Sequence, residues 1–437
     1  MLLIYTHKVT PRLTYICKHF FTRILQIKVS FTTKVEEFIA HDSLKLSYTK
    51  KQLGNEIFIK STNLLFEQGV ADIDLTMDKW NGLPSFFSTT EKASVPFDIF
   101  AAGFYLLSRY EEYLPHVKDQ HNRYPAKESL AFRENFLDIP IIDRWAYQFK
   151  AVILEKYPDF VFKKRKFKYI STIDIDIAYA FKHKGMLRTL SGYIKDVFSL
   201  RLADLWYRTM VNLGMAQDPF DNYDDLLYFQ KQYHLETIFF FTVGRYTTFD
   251  KNISFRNATY RSLIKSVADY IPVGLHPSYF TAKDEAMLKM EKKRLESIVN
   301  RSIEKSRQHY LRFNIPETYQ YLINLEIKED YTMGYAAHYG FRAGTCTPFY
   351  FYDLDYEIQT PLKIYPFAVM DGTLRDYLDL SPKRAYETII KLAREVQLVE
   401  GTFITIFHNE TLSNIGRWRR WKKMYIDMFK HFSSMKD

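Results

Sequence analysis

Thiol chemistry is almost missing from this chain. Its 437 residues include two cysteines, Cys17 and Cys346, and no CxxC pair. Two isolated thiols build neither a disulfide framework nor a thiolate zinc knuckle. Any metal site must therefore use histidine and carboxylate, and a reducing compartment fits. Long apolar runs are lacking too. The longest, IFFFTV (238–243) and DIFAAGFYLL (98–107), fall well short of the ~18 residues a membrane span needs. The opening MLLIYTHKVT reaches His7 and Lys8 too soon for a signal-peptide core. The expectation is a soluble cytoplasmic protein. No short repeat, low-complexity tract, zinc-finger, KH or RNP signature is visible, so nucleic acid is not an expected partner. Nothing in the sequence speaks to oligomeric state.

What is present is enough apolar material for sizeable cores. The hydrophobic share is 47%, which excludes general disorder, and the length suits two or three domains. The 33 Tyr and 36 Phe read mainly as core, with a minority suited to a sugar groove. The net charge is +10. Its densest clusters, KKRKFK (163–168) and RWRRWKK (417–423), read first as solvated faces. In the second, Trp418, Trp421 and Tyr425 have core-face spacing, while the basic side suits peripheral contact with an anionic membrane.

Residues 1–160 read as a smaller mixed α/β domain. Strands are expected at 2–5 and in KVSFTT, LKLSYT and EIFIKS, with helices over 12–26, 96–115 and 144–156. The proline and charge run at 157–168 mark a junction, and 161–437 form the second domain. There KYISTIDIDI, ETIFFFTV, IPVGLHP, HYLRF, LKIYPFAVM and TFITIFH read as strands, separated by helices such as 224–234, 262–270, 282–305, 381–399 and 416–433. Such alternation implies parallel strands with crossover helices, in an open sheet or a barrel.

Polar residues gather at the ends of these strands, where parallel α/β folds place their active sites. Asp174 and Asp176 stand at i and i+2, on one side of a strand. Two such carboxylates repel unless a cation relieves them; the plainer alternative is a cap of the following helix. His276 follows a strand, His309 opens one, and His408 ends the last. Each is either a structural imidazole or a ligand or acid. Arg342, between Gly340 and Gly344, can orient an aspartate, and Asp371 can hold Arg342.

Together, TIDID, GLHPSYF, GFRAG and TIFHN, in that order, resemble the motifs of the polysaccharide deacetylase family (NodB-homology carbohydrate esterases) over about 168–430. Residues 1–160 resemble an N-terminal extension found in a bacterial subgroup. The resemblance implies a distorted (β/α) barrel of seven or eight strands. It also implies metal-dependent removal of an N-acetyl or O-acetyl group from the sugar of a glycan or its precursor, with a divalent ion such as Zn²⁺. By position, Asp174 matches the base, Asp176 and His276 metal ligands, Arg342 the arginine that orients the base, Asp371 that arginine's partner and His408 the acid. One departure stands out. Where the family's second motif has another histidine, this chain has Phe280. His309, His338 or water is left to complete the site. An inactive, glycan-binding version of the same scaffold is the alternative.

Overall fold

The computed structural model describes residues 1–90 and 92–435. Tertiary contacts divide the chain into two units. Unit 1 comprises Met1–Lys168, Phe313–Val369 and Thr388–Ile404; unit 2 comprises Tyr169–Arg312, Met370–Glu387 and Thr405–Asp437. Two contiguous domains meeting at 160/161 were expected. The chain instead returns to unit 1 twice after leaving it. Packing within unit 1 gives the reason. Arg12 reaches Glu357, Tyr15 donates to the Tyr350 carbonyl, and Phe104 lies edge-on to Tyr352. Asp143 accepts from Thr345, Thr347 and the Cys346 N–H. Burying the first 168 residues thus uses side chains more than 200 positions away.

Unit 1 contains a parallel sheet in the order Val29–Thr32, Leu2–Tyr5, Lys45–Thr49, Ile57–Lys60. The hairpin Met77–Trp80/Leu83–Phe86 turns on Asn81-Gly82, both at positive φ, as a tight two-residue turn requires. The helix expected over 96–115 starts on an Asp98 cap and runs Ile99–Leu107. It then breaks, because Arg109 takes φ 57° and turns its guanidinium onto Glu111 and Glu112.

Unit 2 is organised on Lys168–Ile175, whose residues from Tyr169 onward are all buried. Glu236–Phe241, Val273–Leu275 and Lys305–Ser306 follow on one side, each parallel to its neighbour. Thr402–His408 lies on the other side. Helices Tyr223–Gln232, Ala258–Tyr270 and Glu285–Val299 connect successive strands. This is the mixed α/β architecture with parallel strands that the periodicity predicts, and it brings the C-terminal strand ends to one edge. The expected strand HYLRF differs. Its first residues form a 3₁₀ turn, His309–Leu311, after the short strand Lys305–Ser306. At the C-terminus, Trp418, Trp421 and Tyr425 are buried, as core-face spacing predicts. Arg417 and Lys422 beside them are paired with Glu410 and Asp225. No helix among the described residues is long and apolar enough to cross a membrane.

Candidate metal centre

Three imidazoles converge on one carboxylate at this edge of unit 2. Asp176 directly follows the strand that carries Asp174. His276 Nε2 lies 3.0 Å from Asp176 Oδ1, and His309 Nε2 lies 3.3 Å from Oδ2. His408 Nε2 is 3.6 Å from Oδ2. One ligand atom from each of Asp176, His276 and His309 lies within 4.8 Å of the others, an arrangement able to hold a metal ion.

The far side of each ring determines what its Nε2 presents. His276 Nδ1 faces the Arg307 carbonyl, His309 Nδ1 lies 2.8 Å from Asp250 Oδ1, and His408 Nδ1 lies 2.8 Å from Asp371 Oδ1. All three partners are acceptors, so each Nδ1 carries a hydrogen and each Nε2 faces Asp176. Asp176 Oδ1 is buried, with His276 Nε2 close beside it. The nitrogen–oxygen donor set suits Zn²⁺ or a similar divalent ion.

The charges in this cluster act strongly on one another. Burial alone would raise the Asp176 carboxyl, but His309 and His408 outweigh it and hold it well below the usual range. Burial would lower His309, yet Asp176 and Asp250 raise it to about 10. His408 is likewise raised well above its ordinary value against burial, chiefly by Asp371 and Asp176. Such mutual stabilisation marks groups held close in low dielectric.

Asp174 is buried beside this cluster, its Oδ2 3.9 Å from His276 Nε2. The guanidinium on it belongs to Arg307, whose Nη1 donates to Asp174 Oδ1 at 2.9 Å and to Thr172 Oγ1 at 2.6 Å. The expected Arg342 is elsewhere. It lies inside unit 1, where Nε and Nη2 donate to Glu112 and Nη1 to the Gly334 carbonyl. Asp371, expected to hold Arg342, instead accepts from His408 N, His408 Nδ1 and Thr411 Oγ1. Strand order decides both points. Arg307 follows a strand three places from that of Asp174, whereas GFRAG belongs to the other unit. His338, the other candidate ligand, packs edge-on against Phe132 in unit 1. His309 thus stands where Phe280 offers no nitrogen.

Sequence reasoning missed Arg307 and Asp250. Arg307, in SRQH, lies just past a C-terminal strand end, so the criterion that found the histidines extends to it, whereas Asp250, in TTFD, lies well into the loop after Glu236–Phe241. Asp250 is further fixed by Thr247 Oγ1 at 2.7 Å and the Tyr279 N–H at 3.0 Å.

A family of unknown function, DUF7033, matches residues 2–158. No curated protein matches the chain. Among solved structures, a Mycobacterium smegmatis protein assigned as a polysaccharide deacetylase is similar at 13% identity and TM-score 0.41, over 64% of this chain and 88% of that one. A CE4-family pseudoenzyme from Bacillus anthracis is similar at 11% identity and TM-score 0.28, over 61% and 62%. A polysaccharide deacetylase from Bacillus cereus gives 10% and 0.29, over 61% and 89%. The chemistry is argued below from this chain's own side chains.

Proposed function

We propose that unit 2 is a divalent-metal-dependent hydrolase that removes an N-acetyl or O-acetyl group from a sugar of a glycan or its precursor. The observation that carries this is the convergence of three anchored imidazole Nε2 atoms on Asp176, with Asp174 and its own arginine alongside. The resemblance of TIDID, GLHPSYF and TIFHN to deacetylase motifs supplies the substrate class, and on this reading the parallel strands belong to a distorted barrel.

Asp176, His276 and His309 would hold the ion, which when bound polarises an acyl carbonyl and acidifies water. Asp174, oriented by Arg307, accepts the proton of the attacking water. His408, held by Asp371, carries a proton at Nε2 and delivers it to the departing amine or alcohol oxygen. Water thereby adds to the acyl carbon and the C–N or C–O bond breaks, leaving acetate and the free sugar group. A catalytic acid or base of this kind contributes about 10²–10⁴-fold in rate. The glycan-binding alternative drew on Phe280, and His309 removes much of that motive by offering another nitrogen.

Elemental analysis and acetate release from acetylated amino sugars test the proposal together. The wild type should bind one metal ion and turn over. Asp176→Ala should lose the metal, and Asp174→Asn should keep it while losing turnover. Turnover that survives Asp174→Asn would refute the assignment of the base. Glycan binding without stoichiometric metal would favour the binding protein.

A further inference from the structure

The segment between the strands Lys168–Ile175 and Glu236–Phe241 carries a feature that hydrolysis does not use. Ahead of the helix Tyr223–Gln232 it forms two further helices, Met186–Phe198 and Leu202–Asn212. Their polarity is inverted. Met186, Leu187, Leu190, Ile194, Val197 and Phe198 are all exposed. At about 100° per residue they fall within one arc of roughly 120° on the first helix. The exposed Leu202, Trp206 and Leu213, at i, i+4 and i+11, form a stripe along the second.

The contacts between the helices are polar. Asp196 is buried and accepts from Arg208 Nε at 2.7 Å. Gly192 gives this guanidinium room, since a Cβ there would lie 2.5 Å from Arg208 Nη1. Arg208 also lies over the Phe181 ring at 4.6 Å. A helix pair designed for water buries its apolar stripe and exposes its ions. This pair does the reverse.

Its charge says what covers the stripe. Between 182 and 208 there are six Lys or Arg against two Asp. One of those two, Asp196, is already taken by Arg208. Lys195 and Arg201 are exposed beside the apolar side chains. A second copy of the same face would bring like charges together, which disfavours self-association. A negatively charged lipid surface meets both the apolar stripe and the cations around it.

We propose that the hairpin 186–213 docks into the interface of an anionic phospholipid bilayer. Its leucines, Phe198 and Trp206 enter the acyl boundary, with Lys195 and Arg201 at headgroup level. The attachment is peripheral and reversible.

Trp206 provides a built-in probe. It is 67% exposed, whereas Trp80, Trp145, Trp418 and Trp421 are all buried. The full chain is mixed with phosphatidylcholine vesicles, with or without phosphatidylglycerol. Flotation with the anionic vesicles is expected at low salt, weakening several-fold as salt rises, together with a blue shift in tryptophan emission. The triple variant Leu187→Gln/Phe198→Gln/Leu202→Gln alters only exposed side chains. It should bind at least tenfold more weakly, with unchanged melting temperature and metal content. Absence of flotation and blue shift with anionic vesicles at low salt would overturn the proposal. So would a concentration-dependent dimer in sedimentation velocity that the triple variant makes monomeric, because the face would then belong to a second copy.

Discussion

Asp250→Asn isolates the charge behind His309. Asp250 Oδ1 accepts from His309 Nδ1 and the Tyr279 N–H, while Oδ2 accepts from Thr247 Oγ1. Asparagine has the same shape. Its carbonyl can keep both Oδ1 bonds, while Thr247 Oγ1, which already accepts from the Phe249 and Asp250 N–H groups, loses its acceptor. The hydrogen bond to His309 survives and the negative charge is lost. That charge makes the imidazole a stronger donor to a metal, and losing such an outer partner typically costs 10–100-fold in affinity. This corresponds to about 1.4–2.7 kcal/mol. The assay is competition against a chromogenic chelator at fixed pH, with Asp176→Asn as a ligand-loss control and thermal melts of the metal-free proteins as a folding control. The expected order of affinity is wild type, then Asp250→Asn, then Asp176→Asn. A folded Asp250→Asn protein that binds within twofold of wild type would refute the metal-ligand role of His309.

The two arginines should separate activity from stability. Arg307→Lys should lower kcat by about 10²-fold with metal content retained. Arg342→Lys should lower the melting temperature while acetate release per folded molecule stays unchanged. Asp371→Asn should reduce turnover and shift the alkaline limb of the rate profile to lower pH, because His408 loses the charge that holds its proton; an unaltered profile would contradict His408 as the acid. Glu112 links pH to folding. Burial would raise its carboxyl, but Arg342 and Arg109 outweigh burial and hold it at about 2 rather than the ordinary 4.5. Its contribution, roughly 3 kcal/mol, is therefore complete above about pH 4.5 and disappears as pH falls toward 2. Urea unfolding across that range should show the loss in wild type and a flatter profile in Glu112→Gln.

Much of the site was legible because strand ends announce themselves locally. The run YISTI is uncharged and rich in strand-forming residues, as suits a strand buried on both faces, and the carboxylates that follow are hard to explain by packing. His276 and His408 end similar runs, and Asp174 and Asp176 share a face by simple alternation. His309 was legible as a residue but not as a backbone. HYLRF has strand composition, yet Tyr310 and Leu311 take φ 59° and 52°, and that turn is what aims His309 at Asp176. The misplaced arginine has a related origin. GFRAG looks like a site loop in one dimension, and only its burial against Glu112 shows it to be interior to unit 1.

Sequence alone determined most elements and their polarity: which runs are strands, HYLRF apart, and that cysteine plays no part in any metal site. These follow from side-chain periodicity and composition, which act over a few residues. Tertiary structure decided the partnerships. Arg307 lies 133 residues from Asp174, Asp250 lies 59 from His309, and Asp371 lies 37 from His408. No local rule selects such pairs; the order of strands in the sheet does, by setting which loops share an edge. The same holds for the hairpin 186–213. Its amphipathic spacing is present in the sequence, but only the folded chain shows that the ions face inward and the apolar stripe faces out.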